Sequence, residues 1–315
     1  MTRRRSSAVP SARPAQVAAR AAELRRLEVR ISRLLDGVLA GEHRTVRTGP
    51  GSERAAPRRY EPGDDARRID WNLTARSAEV QVRATDADRE LETWIIADRS
   101  ASLDFGTTVR EKREVALAVV AAFGFLAARS GNRIGLLLAG GPSIVRVAPR
   151  CGRTALMAAL AVLHDQPRHA AGPGAGADLP EALTHLERVQ ARRGQLVVVS
   201  DFLDAGDWAT PLRRLGLRHE VIAVQVVDPR ELALPDVGLL AVVDPETGRT
   251  LEVPTGSARL RERYATAAAE RHAGIARRVR AAGARHLVVS TEEDWLVAVA
   301  RFVGRDQDRR LARVR

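Results

Sequence analysis

The chain has 315 residues, 45% of them hydrophobic and 29% charged, which supplies a substantial core and excludes global disorder. A single cysteine, Cys151, excludes an internal disulfide framework and a cysteine zinc cluster, and fits a reducing compartment. The formal charge of +12 raises nucleic-acid binding, so its distribution matters.

Residues 1–60 hold 14 Arg against 5 acidic residues, and residues 301–315 hold 6 Arg against 2 Asp. The stretch between is close to neutral. Lys112 is the only lysine, so the arginine usage reads as a coding bias as much as a functional choice. With no reading helix, RNP sequence or zinc module beside the charge, specific nucleic-acid binding is not expected. The basic ends read as solvated tails or as contacts to acidic surfaces.

In chain order, residues 1–18 are rich in Arg, Ser, Pro and Ala and read as a disordered basic tail. Their positive stretch has no apolar segment after it, so it is no secretory signal. From Val17 to about Leu39 apolar residues recur near helical spacing, which predicts an amphipathic helix. Gly41 to Pro57 reads as a loop or irregular hairpin, and Pro62-Gly63-Asp64 as a turn.

After Leu91 short apolar runs alternate with helical stretches. Strands are predicted at Thr93–Ala97, Arg133–Ala139, Ser143–Val147, Gln195–Ser200, His219–Val227 and His286–Ser290, with a hairpin of Val237–Val243 and Thr250–Val253. Helices are predicted at Lys112–Arg129, Thr154–His164, and about 179–190, 208–216, 257–281 and 293–303. The longest apolar run, Val115–Ala128, is shorter than the roughly 20 residues a bilayer span needs, so no membrane span and a cytoplasmic location are expected.

This alternation implies βαβ units and a mostly parallel sheet, with few aromatics in its core. Ligands of such sheets bind at the carboxyl ends of the strands. Two strand ends carry acids: Asp98-Arg99-Ser100-Ala101-Ser102 and Ser200-Asp201-Phe202-Leu203-Asp204. One carboxylate and two hydroxyls at alternate positions can face one ion, and hard oxygen donors suit Mg²⁺ or Mn²⁺. Asp201 then acts on the ion through a water. The competing reading is structural, because Asp and Ser after a strand also form turns and helix caps.

The D-x-S-x-S pattern, a long helix and a later strand ending in Ser-Asp resemble the metal-ion-dependent adhesion site of von Willebrand A domains. The upstream stretch Tyr60-Glu61-Pro62-Gly63-Asp64-Asp65-Ala66-Arg67-Arg68-Ile69-Asp70-Trp71, running to Arg76, resembles the hallmark of the bacterial domain-of-unknown-function family 58. Val227-Asp228-Pro229-Arg230-Glu231 and Val243-Asp244-Pro245-Glu246-Thr247-Gly248 are similar to later segments of that family.

The resemblance implies a von Willebrand A-like, Rossmann-like α/β fold: a mostly parallel sheet flanked by helices, with an N-terminal helix and an irregular or β segment. It implies a non-enzymatic adapter beside a MoxR-type AAA+ ATPase, in chaperone-like maturation of a client protein. The expected division is a basic tail (1–18), the helix and YxPGDD segment packing on the main domain (19–90), the von Willebrand A-like domain (91–304) and a basic C-terminal tail (305–315).

One position departs from the pattern. Where von Willebrand A domains place a third ligating Thr, this chain has Ala177 followed by Asp178. Asp178 is either a carboxylate ligand or the cap of the helix that has Pro180 near its start. Arg99 is a second source of positive charge for Asp98 or Asp201. In the upstream segment, Asp64 or Asp65 is expected to cap a short helix from Ala66 to Trp71. Trp71 is expected to be packed with its N–H hydrogen-bonded, and Arg67, Asp70 and Arg76 to form ion pairs. The same residues, Asp64, Asp65, Arg67, Asp70, Trp71 and Arg76, are the candidate partner contacts.

The alternative is a metal-dependent phosphatase or hydrolase centred on Asp98. A haloacid-dehalogenase-type site wants a second acid two residues on, where this chain has Ser100, and there is no G-x-S-x-G, P-loop or H-E-x-x-H.

Overall fold

The structure, a computed structural model, describes residues 14–42, 58–59, 69, 71–77, 79–82, 92–141, 143–168, 179–244 and 248–314. In chain order its elements begin with α1 (Pro14–Glu42), β1 (Arg58–Arg59), α2 (Trp71–Thr74) and β2 (Gln81–Val82). Next come β3 (Glu92–Asp98), α3 (Lys112–Arg129), β4 (Arg133–Ala139), β5 (Val145–Arg150), α4 (Arg153–His164) and α5 (Leu179–Val189). Then follow β6 (Gly194–Ser200), α6 (Ala209–Gly216), β7 (Glu220–Val227) and α7 (Pro229–Leu232). The chain closes with β8 (Leu239–Val243), β9 (Thr250–Pro254), α8 (Ala258–Ala281), β10 (Arg285–Ser290) and α9 (Trp295–Val314).

Two compact units result: Met1–Val38 with Leu91–Arg315, and Leu39–Glu90. The smaller one pairs β1 with β2 antiparallel, and Gln81 N–H donates to Thr74 Oγ1 at 3.0 Å.

The larger unit is built on a six-stranded sheet ordered β10-β7-β6-β3-β4-β5. Every neighbouring pair is parallel except β4 with β5. The inner strands β3, β4, β6 and β7 read as largely apolar runs because both their faces are covered. The side-chain period of two sends Ile95 and Ala97 of β3 to one core, with Val197 and Val199 of β6, under the largely apolar α3. Trp94 and Ile96 go to the other core, with Leu196 and Val198, under α5 and α6. α1 closes the first core with Leu24 and Ile31, seven residues apart on one face, and ties down through Arg20–Asp165 and Glu28–Arg153 ion pairs.

The strand order reverses direction at β3 and β6, so their carboxyl ends open the crevice where open α/β sheets bind ligands. The expected strands and helices are present, with shifted ends. β5 lies later than Ser143–Val147 because its antiparallel ladder to β4 runs from Val145 to Arg150. α9 continues through most of the stretch expected as a C-terminal tail, since Arg, Leu and Ala are good helix formers and no proline interrupts them. α1 likewise starts inside the expected N-terminal tail, with Pro14 at its first position.

Candidate functional site

β3 ends at Asp98 and β6 at Ser200, one step beyond the paired residues Ala97 and Val199. Parallel register places the two end residues side by side, and Ser200 Oγ donates to Asp98 Oδ2 at 2.6 Å. Asp98 Oδ1 accepts the Ser100 N–H at 2.7 Å, which turns the chain into a 3-10 turn over Ala101–Leu103. That turn brings Ser100 Oγ and Ser102 Oγ to 2.9 Å of each other. Three of the predicted donors therefore converge on one turn.

Asp98 is 4% exposed. Burial, and then the charge of Asp201, push its carboxyl up to about 7, against the lowering effect of the hydrogen bonds from Ser200 and Ser100. A buried carboxyl raised in this way is short of positive charge.

Asp201 begins a tight turn in which Phe202 adopts φ of 59°, the one positive φ of a non-glycine among the described residues. A bulky residue in the left-handed region stores strain of about 1–3 kcal/mol, which the fold must hold in place. Here the buried Phe202 ring packs on Trp208 at 5.0 Å, and its N–H donates to Ser200 Oγ at 2.9 Å. Asp201 is thereby fixed with Oδ1 on the Leu203 N–H and Oδ2 on Lys112 Nζ at 2.9 Å.

That cation corrects an expectation. Arg99 does not neutralise the acids: it donates to Gln166 Oε1 at 2.6 Å and to the Ser143 carbonyl at 3.1 Å. Gly140 passes close beside it: a Cβ there would meet Ser100 N at 3.2 Å and Arg99 Cγ at 3.3 Å. The cation beside Asp201 is Lys112, wholly buried, which also donates to Glu231 Oε1 at 2.5 Å. Burial opposes the ammonium, but the two carboxylates outweigh it and hold its pKa above the ordinary lysine value.

Glu231 belongs to a turn that the motif Val227-Asp228-Pro229-Arg230-Glu231 builds at the end of β7. Asp228 and Glu231 form a reciprocal capping box around Pro229, giving the unpredicted α7. Asp228 also accepts from Thr107 and from Thr291 Oγ1 at 2.8 Å, drawing the loop after β3 and the end of β10 together. Lys112, Glu231, Asp228, Thr107 and Thr291 were not candidates from sequence. The available signals were the singularity of Lys112 and the Asp228–Glu231 spacing of a capping box.

The remaining candidates separate. Asp178 and Ala177 lie outside the described residues; the Leu179 N–H at the start of α5 is accepted by Asp204 Oδ2 at 3.3 Å. Asp64, Asp65, Arg67 and Asp70 also lie outside them. Trp71 opens α2 and is 69% exposed, and Arg76 is exposed as well. A cavity of about 410 Å³ adjoins the site, lined by Asp98, Arg99, Leu103, Arg113 and Gln166 among others.

The residues fit a hard divalent cation through Asp98 and the two serine hydroxyls. Among the described residues no group of three or more His, Cys, Asp or Glu side chains is placed to hold a metal, so the hydroxyls are essential to any such set.

The chain is an α/β protein with a doubly wound sheet, one antiparallel edge strand and D-x-S-x-S at the end of its central strand, an arrangement that resembles von Willebrand A domains. The family described as "Protein of unknown function DUF58" matches residues 56–274, and the chain belongs to that family. It is 46% identical over 283 residues to the uncharacterized protein Rv1480 of Mycobacterium tuberculosis, covering 90% of this chain and 88% of the relative. Among solved structures it is similar to BatB from Bacteroides thetaiotaomicron, at 14% identity and TM-score 0.45, over 68% of this chain and 98% of that one. It is also similar to the SpRpn10 VWA domain, at 13% identity and TM-score 0.39, over 65% and 91%. No helix among the described residues is long and apolar enough to cross a membrane.

Proposed function

We propose that the chain is a non-enzymatic adapter whose strand-end site holds Mg²⁺ or Mn²⁺ through Asp98, Ser100 and Ser102. Asp201 acts from outside the direct ligands, and Asp178 is the remaining candidate donor. One observation carries the reading: two serine hydroxyls 2.9 Å apart on the turn that follows a buried carboxyl short of positive charge. When bound, the ion would supply an open coordination position for an acidic side chain of a partner.

The chain's own residues prepare that position. Ser200 and the Ser100 N–H fix the Asp98 carboxylate, the 3-10 turn presents both hydroxyls, and Lys112 holds Asp201 back. Family resemblance supports a MoxR-type AAA+ ATPase as the working partner, in cytoplasmic, chaperone-like maturation of a client. The exposed Trp71 and Arg76 of the YxPGDD segment are available to a second protein. A phosphatase centred on Asp98 is less well supported, because Ser100 stands where a haloacid-dehalogenase-type site wants its second acid.

Melting temperature is followed while Mg²⁺ or Mn²⁺ is titrated into chelator-treated protein, with Asp98→Ala as control. An ion binding only the folded state adds about 2.7 kcal/mol at a hundredfold excess over Kd. A rise lost in the variant is the expected result; no rise at millimolar ion overturns the metal site. Co-purification of the ATPase with the wild-type chain tests the partner.

A further inference from the structure

Lys112 is the one lysine among 51 Lys and Arg residues, and among the described residues it is the one basic side chain at 0% exposure. A chain that uses arginine everywhere else has an ammonium here, and the geometry gives the reason. Lys112 is the first residue of α3; its N–H donates to the Phe105 carbonyl at 2.9 Å, and a capping box of Glu111 and Glu114 sets the start of the helix. From there the stem runs inward and ends between Asp201 Oδ2 at 2.9 Å and Glu231 Oε1 at 2.5 Å. The ammonium is a compact point charge with three rotatable donors, whereas a guanidinium is a wide planar fork.

We infer that Lys112 is the resident counter-cation of the strand-end site, neutralising Asp201 from inside the fold and so setting how tightly a divalent ion is held at Asp98, Ser100 and Ser102. This rests on the metal reading. Lys112 is a positioning residue: it does not touch the ion but engages Asp201, the neighbour in sequence of the Ser200 whose hydroxyl holds Asp98. The charge logic has a sign. With Lys112 in place, Asp201 is paired and draws less on an added cation. Without it, the buried Asp201 and the half-buried Glu231 lose their partner and the site turns more negative. At the effective dielectric of a partly buried site, one unit charge several ångströms away changes an ion's affinity by roughly tenfold to a hundredfold. Glu231 acts in the opposite sense. Removing its charge leaves the whole ammonium on Asp201 and makes the site less negative.

The test uses full-length wild type, Lys112→Met and Glu231→Gln, each stripped with chelator, with Mn²⁺ alone as the probe. Stability without metal and the Mn²⁺ dissociation constant are measured separately. The inference expects Lys112→Met to melt lower without metal yet bind Mn²⁺ at least about tenfold more tightly, and Glu231→Gln to bind it more weakly than wild type. A merely structural Lys112 lowers stability in both variants and leaves the constants unchanged, or weakens both; either result overturns the inference.

If wild type binds Mn²⁺ and Lys112→Met binds it no more tightly, the metal reading stands and the inference falls. If wild type shows no binding but Lys112→Met acquires it, the wild-type metal reading falls and the inference stands. No binding in any of the three overturns both. Should Lys112→Met fail to fold, Glu231→Gln decides alone: weaker Mn²⁺ binding at unchanged metal-free stability supports the inference, and any other result overturns it.

Discussion

Asp228 grips Thr107 twice, accepting its N–H at 2.9 Å and its hydroxyl at 2.5 Å across 121 positions of sequence. The same carboxylate accepts the Arg230 N–H and the Thr291 hydroxyl, so it joins the loop after β3, the α7 turn and the end of β10. Burial disfavours its charge, but these donors outweigh burial and hold its carboxyl below the usual range. Asp228→Ala strips four donors of their acceptor. A loss of about 3 kcal/mol is expected, from urea unfolding monitored by circular dichroism. A loss below about 1 kcal/mol would mean that water replaces the carboxylate without cost.

Trp94 and Gly135 face each other across β3 and β4, and the ring covers the glycine. A Cβ at Gly135 would lie 2.7 Å from the Trp94 ring, which is itself fixed by its N–H on Gln190 Oε1 at 2.9 Å. The ring cannot step aside without breaking that buried bond. Gly135→Ala is therefore expected to cost about 1–3 kcal/mol, with a changed tryptophan emission from the folded state. Wild-type stability in the variant would show that the sheet absorbs the methyl by a small shift.

Trp71 gives the contrasting case. At 69% exposure its ring contributes little to the fold, so Trp71→Ala should change unfolding free energy by no more than about 0.5 kcal/mol. If Trp71 is a partner contact, the same variant loses binding while keeping stability. A large destabilisation would place the ring in the fold's own core.

The alternation of apolar runs made the central sheet legible, because β3, β4, β6 and β7 are covered on both faces and are largely apolar, with Gln225 the polar residue inside β7. D-x-S-x-S and Ser-Asp were legible for the same reason: each stands where a buried run stops. Lys112 was not, since its role depends on α3 starting where its side chain reaches the end of β6, a relation between distant segments. Asp228 and Glu231 lie in a motif that was noticed, yet their use required knowing that β10 sits beside β7 and delivers Thr291. The direction of Arg99 was invisible for a more local reason. Both neighbours of a strand end are open to a long side chain, and the close passage of Gly140 against Arg99 and Ser100 goes with the choice.

The carboxyl of Asp98 gives the site a pH dependence of definite sign. In the fold it is pushed up to about 7, by burial first and by Asp201 second; in the unfolded chain it titrates near about 3.9. Between those values the folded state keeps a proton that the unfolded state has released. Stability from this group is therefore fully present below about pH 4, declines as pH rises, and is gone above about 7. Three pH units correspond to on the order of 4 kcal/mol. Asp98→Asn keeps the shape of the protonated acid and removes the ionisation. In chelator, the variant should match wild type at pH 4–5 and exceed it in stability at pH 8, with urea unfolding at both values as the measurement. Equal slopes in the two proteins would mean that Asp98 is ionised in the fold throughout. The cation balancing it would then already be present among the chain's own side chains.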